Sequence, residues 1–153
     1  SSSIRRSIPA FLDSKIHHNN MMSLVIAKIQ ANISGYDAAV MLDDRGFVAE
    51  LNDTNLFMVK DGMVQTPFAH ACLPGITRQT FIDLFKENKI SVEERDLTLV
   101  EFINADLVFA TGTNGEITPV SEIDGRNIKC DKAFLNNIKN LFESKLPSLC
   151  EEL

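Results

Sequence analysis

The hydrophobic period of this chain changes abruptly between residues 33 and 38, and that change restricts the fold to a mixture of helix and sheet. From Asn19 to Ile33 the apolar residues Met22, Val25, Ile26, Ile29 and Ile33 recur at helical spacing and end at Gly35. The spacing predicts a helix with that face buried. From Ala38 the period becomes two. Ala38 to Leu42, Phe47 to Glu50 and Asn55 to Val59 read as short strands, with Asp43-Asp44-Arg45-Gly46 and Asp61-Gly62 as hairpin turns, which together predict an antiparallel meander. Further on, Thr77 to Asn88 is amphipathic through Phe81, Leu84 and Phe85. Ile90 to Arg95 reads as a strand, Thr98 to Asn104 as a short helix and Leu107 to Ala110 as a strand. Ile117 to Val120 and Glu122 to Gly125 read as a turn-rich pair. A last helix is expected from Asp131 to Leu146, capped by Asp131 and stopped by Pro147. Neither an internal repeat nor a low-complexity linker interrupts this order, so one domain of α+β class is expected.

Composition narrows the partners. The 153 residues are 44% hydrophobic and 24% charged, enough for one core. A formal charge of −6 disfavours nucleic acid and anionic membrane, which select basic surfaces. No apolar run in the sequence approaches the length of a membrane span. Cys72, Cys130 and Cys150 are odd in number and far apart, which predicts reduced thiols and a cytoplasmic setting. His17, His18 and His70 lack the spacing of a metal site, and no metal is expected. The start, Ser1-Ser2-Ser3-Ile4-Arg5-Arg6, has neither an initiating Met nor a signal-peptide core, so a piece of a longer protein is expected.

Two glycine-bearing turns form a candidate anion site. Leu73-Pro74-Gly75-Ile76-Thr77-Arg78 opens a helix, where Gly75 permits a tight turn and the free amides of Ile76 and Thr77 face outward at the positive end of the helix dipole. Thr111-Gly112-Thr113 closes a strand and adds hydroxyls and amides in a nest. Each pattern alone also describes an ordinary capped turn.

The remaining motifs carry a resemblance. Glu50 followed by Asn55-Leu56-Phe57, then Asp61-Gly62-x-x-x-Thr66-Pro67, Leu73 to Arg78, Ala105-Asp106 and Phe109-x-Thr111-Gly112-Thr113-x-x-Glu116-Ile117-x-Pro119-Val120 resembles the class IV aminotransferases in order and spacing. These are the fold-type IV enzymes, which use pyridoxal phosphate and include branched-chain and D-amino-acid aminotransferases and aminodeoxychorismate lyase. The resemblance runs from about Arg5 to about Ile128. It implies that residues 1–153 correspond to the large, cofactor-binding domain, an antiparallel-rich mixed sheet curled into a partial barrel with flanking helices. The family's small N-terminal domain, which sends an arginine to the phosphate, would lie outside the chain.

The resemblance also implies roles. Lys15 stands where the family's catalytic lysine stands, Glu50 matches the carboxylate that faces the cofactor's ring nitrogen, and Gly75, Ile76, Thr77, Gly112 and Thr113 match the phosphate cradle. The backbone of Asn114 corresponds to the place where the substrate carboxylate binds, and Arg78 is expected in a structural ion pair. The implied reaction is transamination of a branched-chain-like amino acid with a 2-oxo acid acceptor such as 2-oxoglutarate, in an enzyme that is a homodimer at full length. A lyase acting on aminodeoxychorismate and a non-catalytic domain remain as alternatives. One departure from the family pattern lies after Lys15, where Ile16 to Met22 carries no tyrosine and offers Asn20 or a histidine to the cofactor's phenolic oxygen instead. Without the resemblance, Lys15 reads as a surface lysine and Glu50 as a strand-end acid. Cys72 reads as a buried small hydrophobe, Met21, Met22, Met41, Met58 and Met63 as core filling, and Glu93 to Asp96 as a solvated strand edge.

Overall fold

A computed structural model describes residues 1–16, 18–112 and 116–149. The elements in order are α1 (Met22–Ile33), β1 (Val40–Leu42), β2 (Val48–Leu51), β3 (Asn55–Lys60), β4 (Met63–Pro67), α2 (Ile76–Glu87), β5 (Val92–Arg95), α3 (Leu99–Ile103), β6 (Leu107–Gly112), β7 (Glu116–Pro119), β8 (Glu122–Ile123), β9 (Arg126–Asn127) and α4 (Lys132–Leu149). Five strands form one mixed sheet in the order β5-β4-β3-β6-β7, while β1-β2 and β8-β9 are separate two-stranded ribbons. Among the named strands, only β4 and β5 pair in parallel. The antiparallel-rich mixed sheet with flanking helices is as expected; strand pairing among the described residues does not itself close a barrel.

The expected meander breaks after β2. There the Leu51 amide donates to the Thr54 carbonyl at 2.8 Å, a tight turn that carries β3 away from the first ribbon. β3 instead lies between β4 and β6. It is buried from Asn55 to Val59, and strand alternation sends its side chains into two different cores. Phe57 and Val59 face Phe81, Phe85, Phe109 and Phe142, contributed by α2, β6 and α4. Leu56 and Met58 face Val108, Leu97, Phe102 and Ile128. Phe57 is the hub of the first core, stacked on Phe109 at 5.2 Å and edge-on to Phe81 and Phe85.

Four further expectations need correction. β7 and β8 do not pair with each other. β7 extends the main sheet beside β6, and β8 turns back onto β9 through Asp124 and Gly125, whose positive φ angles of 48° and 76° suit a tight hairpin. In α1 the buried face is Ala27 and Ala31, packed on Ala39 and Met41, because small residues let the helix backbone sit close to β1. The apolar stripe expected in the core faces outward, with Met22 65%, Val25 50%, Ile29 50% and Ile33 83% exposed. Only Met41 and Met58 of the methionines fill core; Met21, Met22 and Met63 are exposed. Finally, α4 continues through Pro147 to Leu149 instead of stopping before it, since a proline in a last turn forfeits only one hydrogen bond. Its expected cap is present, Asp131 Oδ1 accepting from the Phe134 amide at 3.0 Å.

Glu93 to Arg95 do lie on an edge strand, yet they are more than a solvated edge. Glu94 pairs with Arg78 at 2.7 Å and Arg95 with Glu101 at 2.7 Å, which ties β5 to α2 and α3. Among the described residues no helix is long and apolar enough to cross a membrane.

Because Phe57 packs four elements together, Phe57→Ala is expected to cost about 3–5 kcal/mol. Urea unfolding should show a lower midpoint with an unchanged slope.

Candidate functional site

Three of the candidate residues, Glu50, Gly75 and Gly112, meet at the N-terminal end of β3. Glu50, on β2, is 5% exposed, and a carboxylate so buried requires partners. Two are present. Arg6 Nη2 approaches Oε1 at 2.8 Å, and Asn55 Nδ2 donates to Oε2 at 3.1 Å. Arg6 is delivered by the segment that runs beside β1, where the Arg6 amide donates to the Leu42 carbonyl at 2.9 Å. Its Nε also donates to the Ala71 carbonyl at 3.1 Å. Burial pushes the Glu50 carboxyl up to about 7, against the opposing pull of Arg6 and the Leu73 amide. A protonated ring N–H set against it would favour the charged form again.

The phosphate turn abuts the same residues. α2 begins at Ile76 with Gly75 as its N-cap, and no side chain caps the helix, so the amides at its start are left for a ligand. Gly75 is required by close approach: a Cβ there would collide with Asn55 Oδ1. Asn55 Nδ2 also donates to the Leu73 carbonyl at 3.0 Å, which fixes the chain just before the turn.

The second glycine flanks the same strand end. A Cβ on Gly112 would stand 2.7 Å from Thr54 Cγ2, so the end of β6 fits against the start of β3 only without a side chain. Beside it, Thr111 is directly opposite Asn55 in the sheet. It is 2% exposed, and its hydroxyl has no partner among the described residues. An orphaned buried hydroxyl and two side-chain-free positions around an uncapped helix start suit a phosphate-bearing group. Thr113 and Asn114 lie outside the described residues.

Lys15 is exposed, on the segment between Arg6 and α1. Its backbone amide donates to Asp13 Oδ1 at 3.0 Å, while the neighbouring Ser14 is buried with its hydroxyl on the Ser7 carbonyl at 2.8 Å. The structure therefore joins Glu50, Gly75 and the start of α2 through Asn55, and does not bring Lys15 into that hydrogen-bonded set. Asn20 is exposed and its amide donates to His18 Nδ1 at 3.1 Å. Arg78 is buried in the ion pair expected of it, donating also to the Pro67 carbonyl at 2.8 Å. Cys72 is buried, and its thiol is pushed up to about 12 by burial and then by the Glu50 charge, which leaves it un-ionised at neutral pH. No group of His, Cys, Asp or Glu among the described residues could hold a metal ion.

Sequence reasoning assigned no role to Arg6 or Asn55, and Thr111 entered only as part of the second glycine turn. Arg6 carried no signal beyond its place in an Arg-Arg pair. Asn55 and Thr111 belong to the motifs, but their roles depend on which strand each faces.

Between 4.5 and about 7 the folded state holds a proton on Glu50 that the unfolded chain has released. Stability contributed by this group is thus full below the unfolded value and is lost as pH rises through the window, by about 3 kcal/mol. Chemical unfolding at pH 5, 6 and 7 should show this decline in the native chain and a flatter profile in Glu50→Gln. In the same assay Gly75→Ala should lose about 1–3 kcal/mol, since it displaces Asn55 from a buried carboxylate.

A family model described as "Amino-transferase class IV" matches residues 1–123. Branched-chain-amino-acid aminotransferase-like protein 2 of Arabidopsis thaliana is 53% identical over 124 residues, which are 81% of this chain and 22% of that protein. The structure of the branched-chain amino acid aminotransferase from Escherichia coli superposes with a TM-score of 0.85 at 35% identity, covering 95% of this chain and 50% of that one. The Thermobaculum terrenum branched-chain amino acid aminotransferase in its PLP form gives a TM-score of 0.89 at 32% identity, with 94% and 48% covered. The chain thus spans about half the length of these solved chains and a smaller share of the plant relative.

Proposed function

Because this chain belongs to the class IV aminotransferases, we propose that it forms the cofactor-binding part of a pyridoxal phosphate-dependent aminotransferase acting on branched-chain amino acids. The carrying observation is that a buried, partnered carboxylate and an uncapped helix start are linked at one strand end. Pyridoxal phosphate, when bound, supplies an electron-withdrawing ring that acidifies the substrate's α proton. The start of α2, with the amides of Ile76 and Thr77, would receive the phosphate, and Gly75 and Gly112 keep side chains out of the space around it. Glu50 would hold the ring nitrogen protonated, its negative charge favoured by Arg6 and by the ring N–H together. Lys15 would hold the cofactor covalently and supply the amine that takes up the substrate's α proton. A 2-oxo acid acceptor would complete the cycle by the reverse path.

The names of the relatives and neighbours cited, branched-chain aminotransferases throughout, support this substrate class over the lyase. In that reading Thr113 and the backbone of Asn114 complete the phosphate and substrate-carboxylate contacts. The full-length enzyme would be a homodimer, and the outward apolar face of α1 supports an association surface.

Adding pyridoxal phosphate to the purified chain, reducing with borohydride and sequencing the peptides by mass spectrometry tests the reading. The expected result is a visible absorbance band and a phosphopyridoxyl mass on Lys15 that Lys15→Ala abolishes. No adduct on Lys15, here or in a chain of the relatives' full length, would overturn it. An adduct in the longer chain alone would assign cofactor assembly to residues beyond these 153.

A further inference from the structure

Two separate parts of the candidate site, the carboxylate of β2 and the turn that opens α2, share one side-chain amide. Asn55 Nδ2 is forked between Glu50 Oε2 at 3.1 Å and the Leu73 carbonyl at 3.0 Å. Its other amide atom, Oδ1, packs on Gly75, where any Cβ would strike it. Asn55 is therefore held from three sides, by a carboxylate, a carbonyl and a glycine. It is also set at the first residue of β3, opposite Thr111 and next to Thr54, which abuts Gly112. Arg6 repeats the arrangement from the far side, with Nη2 on Glu50 and Nε on the Ala71 carbonyl. The segment 71–73, which leads into the phosphate turn, is thus linked to Glu50 by two side chains.

We propose that Asn55 is a positioning residue that sets the separation between the Glu50 carboxylate and the start of α2, so that a ligand bearing both a ring nitrogen and a phosphate meets both anchors without rearrangement. The inference rests on the cofactor reading above and deepens it. A side chain that only supported the fold would affect every ligand of the site alike. A side chain that sets a separation affects chiefly the ligand that bridges both anchors, because the advantage of two preset contacts is the ordering cost that binding avoids. Asn55 is suited to the task because its amide is planar and short and donates to both groups from one nitrogen. A longer Gln would not fit against Gly75, and an Asp would set a second carboxylate beside Glu50.

The test compares three probes by equilibrium titration of the chain: pyridoxal 5'-phosphate, pyridoxal and inorganic phosphate. Asn55→Leu keeps the branched shape and removes both hydrogen bonds; Asn55→Ser is the smaller replacement should leucine not fold, as judged by circular dichroism. The expected result is that affinity for pyridoxal 5'-phosphate falls about tenfold or more, while affinities for pyridoxal and for phosphate each change less than about twofold. An equal loss for all three probes, or no loss for pyridoxal 5'-phosphate, would overturn the proposal and leave the cofactor reading standing. A native chain that binds pyridoxal 5'-phosphate no more tightly than pyridoxal would overturn the cofactor reading and this inference with it.

Discussion

β3 is the strand on which the rest of the structure depends, because it is buried on both faces and bonded along both edges. A central strand with no face toward water must supply apolar side chains in both directions, and Leu56, Phe57, Met58 and Val59 do so. Phe57 and Val59 are the floor for α2 and α4, while Leu56 and Met58 are the floor for the layer around Leu97 and Phe102. Both cores are thereby fixed relative to one strand. The two glycine turns inherit that rigidity, since one rests on Asn55, the strand's first residue, and the other on Thr54 just before it.

The same strand end explains how a carboxylate is kept in the interior. Burial alone favours the neutral form of Glu50, and the arginine, the side-chain amide and the backbone amide that surround it compensate in part. The outcome is a group whose proton affinity lies near neutrality, where contact with a cationic N–H decides its charge. Such tuning is common at sites that handle protons. It sits here beside a helix start whose N-cap, Gly75, brings no side chain to the amides of the first turn.

α1 shows the opposite balance. Its alanines face β1 and its larger apolar residues face outward, the reverse of what core formation would favour. The apolar stripe therefore lies on the surface of this chain, directly after the segment that carries Lys15.

The elements themselves were legible in the sequence because each is marked by local chemistry. The change of period after Ile33, the Asp61-Gly62 turn, the short helix begun by Thr98 and the Asp131 cap all act within a few residues, and each is realised. The candidates Glu50 and Gly75 were legible through motif order. What the sequence could not decide was partnership across distance: that β3 leaves β2 for β6, that β7 and β8 part company, and that alanines rather than isoleucines of α1 face inward. Nor could it single out Arg6 and Asn55, whose contacts span 44 residues for Arg6 and Glu50 and 56 for Asn55 and Thr111. Local signals determine conformation because they act through dihedral angles and nearby hydrogen bonds. Burial, strand neighbours and proton affinity are decided by tertiary structure, since each depends on which remote atoms exclude water from the group.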